Sequence, residues 1–264
     1  MKFLLPLLVA LFILPAQAGP DYSAALAGEH RSENNRARDA WRHPGETLAF
    51  FGLEPGMTVV ELSPGGGWYT EVLASLLKEQ GTLYAAHADV NGGAYGRRSL
   101  GGFLGKLGAD DAIYGDVIVS TLAPPATIDI APAASADMVL AFRNVHSWLR
   151  AGALDDVFAA AFEALKPGGV FGIVQHRAPE GRSVEAMKSS GYVTEQLVIA
   201  AAEAAGFEFA GRAGINANPK DSADHPEGVW TLPPILALGD QDRERYLAIG
   251  ESDRMTLKFV KPAN

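Results

Sequence analysis

The sequence contains no cysteine. That excludes disulfides, thiolate zinc sites, iron–sulfur clusters, a cysteine nucleophile and a lipid-anchored N-terminus. It is also short of positive charge, with 22 Lys and Arg against 31 Asp and Glu and a formal net charge of −9. Docking on DNA, RNA or anionic lipid needs a positive field, so no nucleic-acid partner is expected. No His-x-His or His-Glu-x-x-His spacing occurs among the 6 histidines, so no metal site is expected. Gly and Pro, 29 and 16 of 264 residues, make the chain rich in turns but not disordered.

Long apolar runs are missing except at the start. Lys2 precedes an apolar run over residues 3–14 that only Pro6 interrupts, and Ala16-Gln17-Ala18 is an A-x-A cleavage site. This pattern reads as a signal peptide over residues 1–18, which implies export to the periplasm or medium. Twelve helical residues span about 18 Å, short of the roughly 30 Å of a bilayer core. With the leader removed, no membrane association is expected.

The rest of the chain alternates between two periodicities. Residues 19–44 are polar and charged and read as a helical arm that stops before His43-Pro44. Residues 45–264 read as one domain. A short helix near 46–51 precedes a strand over 58–62, a glycine loop, a helix over 69–79 and a strand over 82–86, a βαβ unit whose crossover implies parallel strands. Further strands are expected at 117–121, 137–142, 170–174, 207–209 and 256–260, with helices at 154–165 and 194–205. Pro167-Gly168-Gly169 is expected to terminate the first of those helices. Residues 91–108 read as a loop and a helix, and 214–234 as a long polar loop. The class is α/β with a mostly parallel sheet.

In such sheets ligands sit beyond the carboxyl ends of the strands, where the strand order reverses. The first strand ends Val59-Val60-Glu61-Leu62 and runs into Ser63-Pro64-Gly65-Gly66-Gly67. Glycines let backbone approach a ligand closely, and the acid can accept from a cationic group. The same residues also fit a plain strand-to-helix turn.

Here the sequence resembles the class I S-adenosylmethionine-dependent methyltransferases. Glu61, Gly65 and Gly67 match their first motif, although Ser63 stands where the first glycine is usual. Ala136-Asp137-Met138-Val139-Leu140 resembles the block of the fourth strand, and Leu165-Lys166-Pro167-Gly168-Gly169-Val170 the block entering the fifth. The resemblance spans about residues 45–210. It implies a Rossmann-like, doubly wound sheet of seven strands with an antiparallel last strand, and S-adenosyl-L-methionine as cofactor. Glu61, Ser63, Pro64, Gly65, Gly66, Gly67 and Trp68 are the expected cofactor contacts. The family's ribose-binding acid falls by spacing at His87, with Asp89 two residues later.

The family places reacting groups after the fourth strand, which here supplies Arg143, Asn144 and His146. After the fifth strand comes Gln175-His176-Arg177, and in the family's sheet order the fourth and fifth strands are neighbours. His146 and His176 are therefore expected to share a cleft, with His87 across it. Either is a candidate general base, and Arg143 or Arg177 a candidate to orient an anionic substrate. The alternative is that these histidines are loop residues bonded to backbone. Two functions fit: methylation of a small molecule, or cofactor binding without turnover by an exported sensor.

Overall fold

The computed structural model describes residues 20–263, so the leader expected at 1–18 lies outside the described residues. Eight strands form one sheet: β1 (Thr58–Leu62), β2 (Thr82–His87), β3 (Ile118–Ala123), β4 (Thr127–Asp129), β5 (Ala136–Phe142), β6 (Leu165–His176), β7 (Glu208–Ala213) and β8 (Arg254–Val260). Their order is β4-β3-β2-β1-β5-β6-β8-β7. β1 lies parallel between β2 and β5, and the strand order reverses there. β3 and β6 extend the parallel sheet outward. β8 inserts antiparallel between β6 and β7.

The count is eight rather than the expected seven. β4 folds back antiparallel on β3 after Pro124-Pro125. Three residues offer no period-2 pattern to read, which is why the hairpin is invisible in the sequence.

Alternation along β1 shows how the sheet is covered on both faces. Val60 and Leu62 join one apolar cluster, with Val157, Phe158, Val198 and Ala202 from helices Leu154–Ala164 and Glu195–Ala204. Val59 joins the other, with Leu48 and Phe51 of helix Pro44–Phe51 and Val72, Leu73 and Leu77 of helix Trp68–Leu77. Each such Val, Leu or Phe side chain contributes about 1.5–3 kcal/mol on burial. Pro44 occupies the first turn of its helix, where its missing N–H costs nothing. Thr194 caps its helix by accepting from the Leu197 N–H at 3.3 Å.

Three expectations need correcting. Pro167-Gly168-Gly169 does not end the helix, which stops at Ala164; it lies within β6, where the Gly168 N–H and Gly169 carbonyl pair with Lys261. The N-terminal arm is not one helix but three short ones, Ser23–Ala27, Glu33–Arg36 and Asp39–Arg42, the last closed by His43 at φ 40°. The polar segment 214–234 carries a 3-10 turn, Gly228–Thr231. Among the described residues, no helix is long and apolar enough to cross a membrane.

Candidate active site

The loop after β1 turns sharply because three of its residues take left-handed backbone: Ser63 at φ 50°, Gly65 at 59° and Gly67 at 76°. Ser63 thus adopts the conformation a glycine would take more cheaply. Its N–H donates to the Ala86 carbonyl at 2.9 Å, and Asn144 Nδ2 points at the carbonyls of Leu62, Ser63 and Phe142 at 3.0–3.2 Å. Asn144 therefore ties the ends of β1 and β5 together. A Cβ added at Gly65 or Gly66 would meet nothing within 4 Å, so this backbone is open to the space above it.

That space is a cavity of about 480 Å³, within the usual range for small-molecule sites of roughly 300–1,000 Å³. Ser63, Pro64, Gly65, Gly66 and Trp68 form one wall. Phe142, Arg143, Asn144 and His146 reach it from the end of β5, and His176 from the end of β6. The arm contributes Asn35, Arg38 and Arg42, and the 3-10 turn and its sequel contribute Val229, Trp230, Pro233, Pro234 and Ile235. Glu251 and Ser252 enter just before β8, and Tyr95 at the rim.

The two histidines meet as expected, with ring centroids 5.7 Å apart. His146 Nδ1 accepts from Gln175 Nε2 at 3.3 Å, and Trp230 packs edge-on at 5.8 Å. His176 Nδ1 shares a 2.6 Å hydrogen bond with Ser252 Oγ. Burial, with the Arg150 and Arg143 charges, holds His146 down at about 4. Burial, together with His146, Arg143, Arg254 and Arg42, holds His176 well below its ordinary range. Both imidazoles are neutral at neutral pH.

Glu61 does not line the cavity. It is buried beneath the loop, where it accepts from Thr70 Oγ1 at 2.6 Å. Burial pushes its carboxyl up to about 7, against the opposing Thr70 bond and the charges of Lys106 and Arg143. His87 also faces away. Its Nδ1 accepts from the Ala88 N–H at 2.7 Å and its Nε2 lies 3.1 Å from the Gly65 carbonyl, so the ring braces the glycine loop. Asp89 accepts from the Asn91 N–H at 2.7 Å and from Thr127 Oγ1 at 3.4 Å. Arg177 is drawn out of the site by a two-pronged bond to Asp253 at 2.8 Å and a third bond to Glu195 at 3.0 Å.

Sequence alone does not single out Glu251 and Ser252 as site residues. Glu251 takes Arg38 Nε at 2.6 Å, Arg42 Nε at 3.2 Å and Arg254 Nη2 at 2.6 Å. Burial alone would raise its pKa, but Arg254, Arg42 and Arg38 outweigh that and hold it at about 2. The only available signal was the charged run Glu251-Ser252-Asp253-Arg254 directly before a strand. The arm is held over the site by its own contacts. Arg31 pairs with Asp39 at 2.7 Å, Asn35 Nδ2 donates to Glu71 at 2.8 Å, and Arg42 lies 4.6 Å from the Trp68 ring centroid. The polar loop is anchored by buried Asp221, which accepts from Tyr192 Oη at 2.9 Å and from His225 Nε2 and the Ala223 and Asp253 N–H groups at 2.8 Å.

No protein-family model matches the sequence, nor does any curated protein. Solved structures match it by shape. A SAM-dependent methyltransferase from Aquifex aeolicus aligns at 15% identity over 85% of this chain and 92% of its own, with a TM-score of 0.56. The [4+2]-cyclase SpnF aligns at 14% identity over 90% and 86%, with a TM-score of 0.58. A possible exported protein from Bordetella parapertussis aligns at 15% identity over 93% and 80%, with a TM-score of 0.50. At these identities the likeness shows the fold. The chain has the Rossmann-like α/β fold of SAM-dependent methyltransferases, a fold that the cyclase also carries, so the reaction has to be argued from the site.

Proposed function

We propose that the protein is an exported enzyme that transfers a methyl group from S-adenosylmethionine to a small molecule. The observation that carries this reading is the cavity at the strand-order reversal, walled by open glycine backbone on one side and by two neutral histidines on the other. The fold neighbours named for that cofactor support it, and so do the motif residues Glu61, Gly65 and Gly67. Export is supported by the apolar run 3–14 and the Ala16-Gln17-Ala18 site.

The residues present fit the cofactor at the glycine loop, a cradle that side chains at positions 65 and 66 would fill. The backbone of Ser63–Gly66 would hold it, with Trp68 alongside and the Glu61 carboxyl beneath. When bound, the cofactor supplies a methyl group activated by a sulfonium, whose bonding electrons stay with sulfur. The chain's own task is then alignment and removal of a proton. With Nδ1–H donated to Ser252 Oγ, His176 keeps a lone pair on Nε2 and takes the proton of an acceptor O–H or N–H. His146, whose Nδ1 already accepts from Gln175, presents Nε2–H and orients the acceptor. The arm and the Trp230 turn wall the site on its remaining sides.

Calorimetry with S-adenosylmethionine, S-adenosylhomocysteine and NAD tests the reading. Binding of both sulfur compounds and not of NAD is expected. Binding of neither removes the proposal. Binding with no methyl transfer to any acceptor in a cell extract would turn it towards a sensor.

A further inference from the structure

The cavity holds far more positive charge than its walls neutralise. Four guanidinium groups, of Arg38, Arg42, Arg143 and Arg254, surround one carboxylate, Glu251. The nearby acids are spent elsewhere. Asp39 pairs with Arg31, Glu71 with Lys106, and Asp253 with Arg177. Arg38 and Arg42 both use Nε on Glu251, which leaves their outer ends over. Arg42 is only 1% exposed, yet its Nη1 and Nη2 have no acceptor among the described residues, and neither has the buried Nη2 of Arg38. Stacking on Trp68 satisfies the face of the Arg42 guanidinium but not its in-plane donors. Arg143 forms no ion pair among the described residues, and its backbone is held at φ 65° with its N–H on the Val174 carbonyl at 2.7 Å.

Buried, unpaired guanidinium groups are costly unless an anion completes them. S-adenosylmethionine offers one carboxylate and brings an ammonium and a sulfonium with it, so its binding leaves the excess positive charge larger, not smaller. We propose that the methyl acceptor is a small polyanion carrying at least two negative charges as carboxylate or phosphate oxygens, held by the free Nη ends of Arg42 and Arg38 and by Arg143. Calling this ligand the acceptor rests on the methyl-transfer reading; the anion site itself does not. The planar, forked donors of arginine match carboxylate and phosphate oxygens two at a time.

The test is calorimetry of the full protein at low ionic strength with tricarballylate, phenyl phosphate and, as the uncharged control, phenol, each with and without S-adenosylhomocysteine. One or both anions are expected to bind and phenol not to bind. R143M and R38M, which remove no fully buried ion pair, should each weaken anion binding at least tenfold while changing S-adenosylmethionine affinity less than threefold. R42M should do the same, with circular dichroism and melting temperature confirming the fold. Absence of anion binding by the wild-type protein overturns the proposal, as does unchanged anion affinity in R143M. Loss of S-adenosylmethionine affinity with anion affinity intact also overturns it, because the arginines would then hold the cofactor's carboxylate. Anion binding without any cofactor binding upholds the arginine site and removes the methyl-transfer reading instead.

Discussion

Arg38 and Glu251 are 213 residues apart in the chain, yet Arg38 Nε lies 2.6 Å from Glu251 Oε1. This contact joins the N-terminal arm to the segment entering the last strand, and the cavity lies between them.

E251Q should therefore destabilise the protein strongly. The carboxylate offsets three guanidinium groups, and removing it leaves buried Arg42 and Arg254, with half-buried Arg38, unpaired, a loss of about 3–5 kcal/mol. Urea unfolding at pH 7 measures it. A depressed carboxyl stabilises the fold above its unfolded value of 4.5 and loses that contribution as pH falls towards about 2. The wild-type protein should lose stability in that window, and E251Q should lose less.

Glu61 predicts the opposite slope. Its folded value of about 7 lies above the ordinary 4.5, so only the unfolded chain releases the proton between the two. Its contribution therefore falls as pH rises through that window, by about 3 kcal/mol at most. E61Q should remove this component when urea midpoints at pH 5 and pH 8 are compared. An equal slope in wild type and E61Q would refute the assignment.

For turnover, H176A should lower kcat by about 10²–10⁴-fold if its Nε2 removes the acceptor's proton. H146A should raise KM more than it lowers kcat. Because burial holds both rings below their ordinary values, kcat should stay level from pH 8 down to about pH 6. A histidine titrating near its ordinary value would instead give a fall centred near 6.5.

S63G should stabilise the protein modestly. A residue other than glycine at φ 50° costs about 1–2 kcal/mol, of which the greater freedom of unfolded glycine returns about 0.5–1. The gain should be about 1 kcal/mol or less by thermal melting, with cofactor affinity kept. A loss of stability would mean the Ser63 side chain does something the backbone argument omits.

Much of the fold was legible because it rests on local pattern. The strand at 58–62 has the bounds the sequence suggests, and the order of strands and helices follows the switch between periods of 2 and 3.6. The meeting of His146 and His176 was legible only through the family resemblance, whose sheet order makes the two strands neighbours, as β5 and β6 are. What was not legible depends on long-range pairing. His87 sits at the end of β2 as spacing requires, but the Gly65 carbonyl across the loop turns it away from the cavity. Arg177 follows β6 just as His176 does, and only Asp253 and Glu195, distant in sequence, decide that it leaves the site. Glu251 could not be chosen from an acid-rich chain until three arginines were seen to converge on it.

The Arg38–Glu251 contact also bears on the order in which the chain is made. Synthesis delivers Arg38 213 residues before Glu251, so over that interval Arg38 and Arg42 lack the carboxylate they pair with. A chain that has not yet reached Glu251 therefore cannot present a finished binding site, and loss of either the arm or the segment around Glu251 should open the cavity.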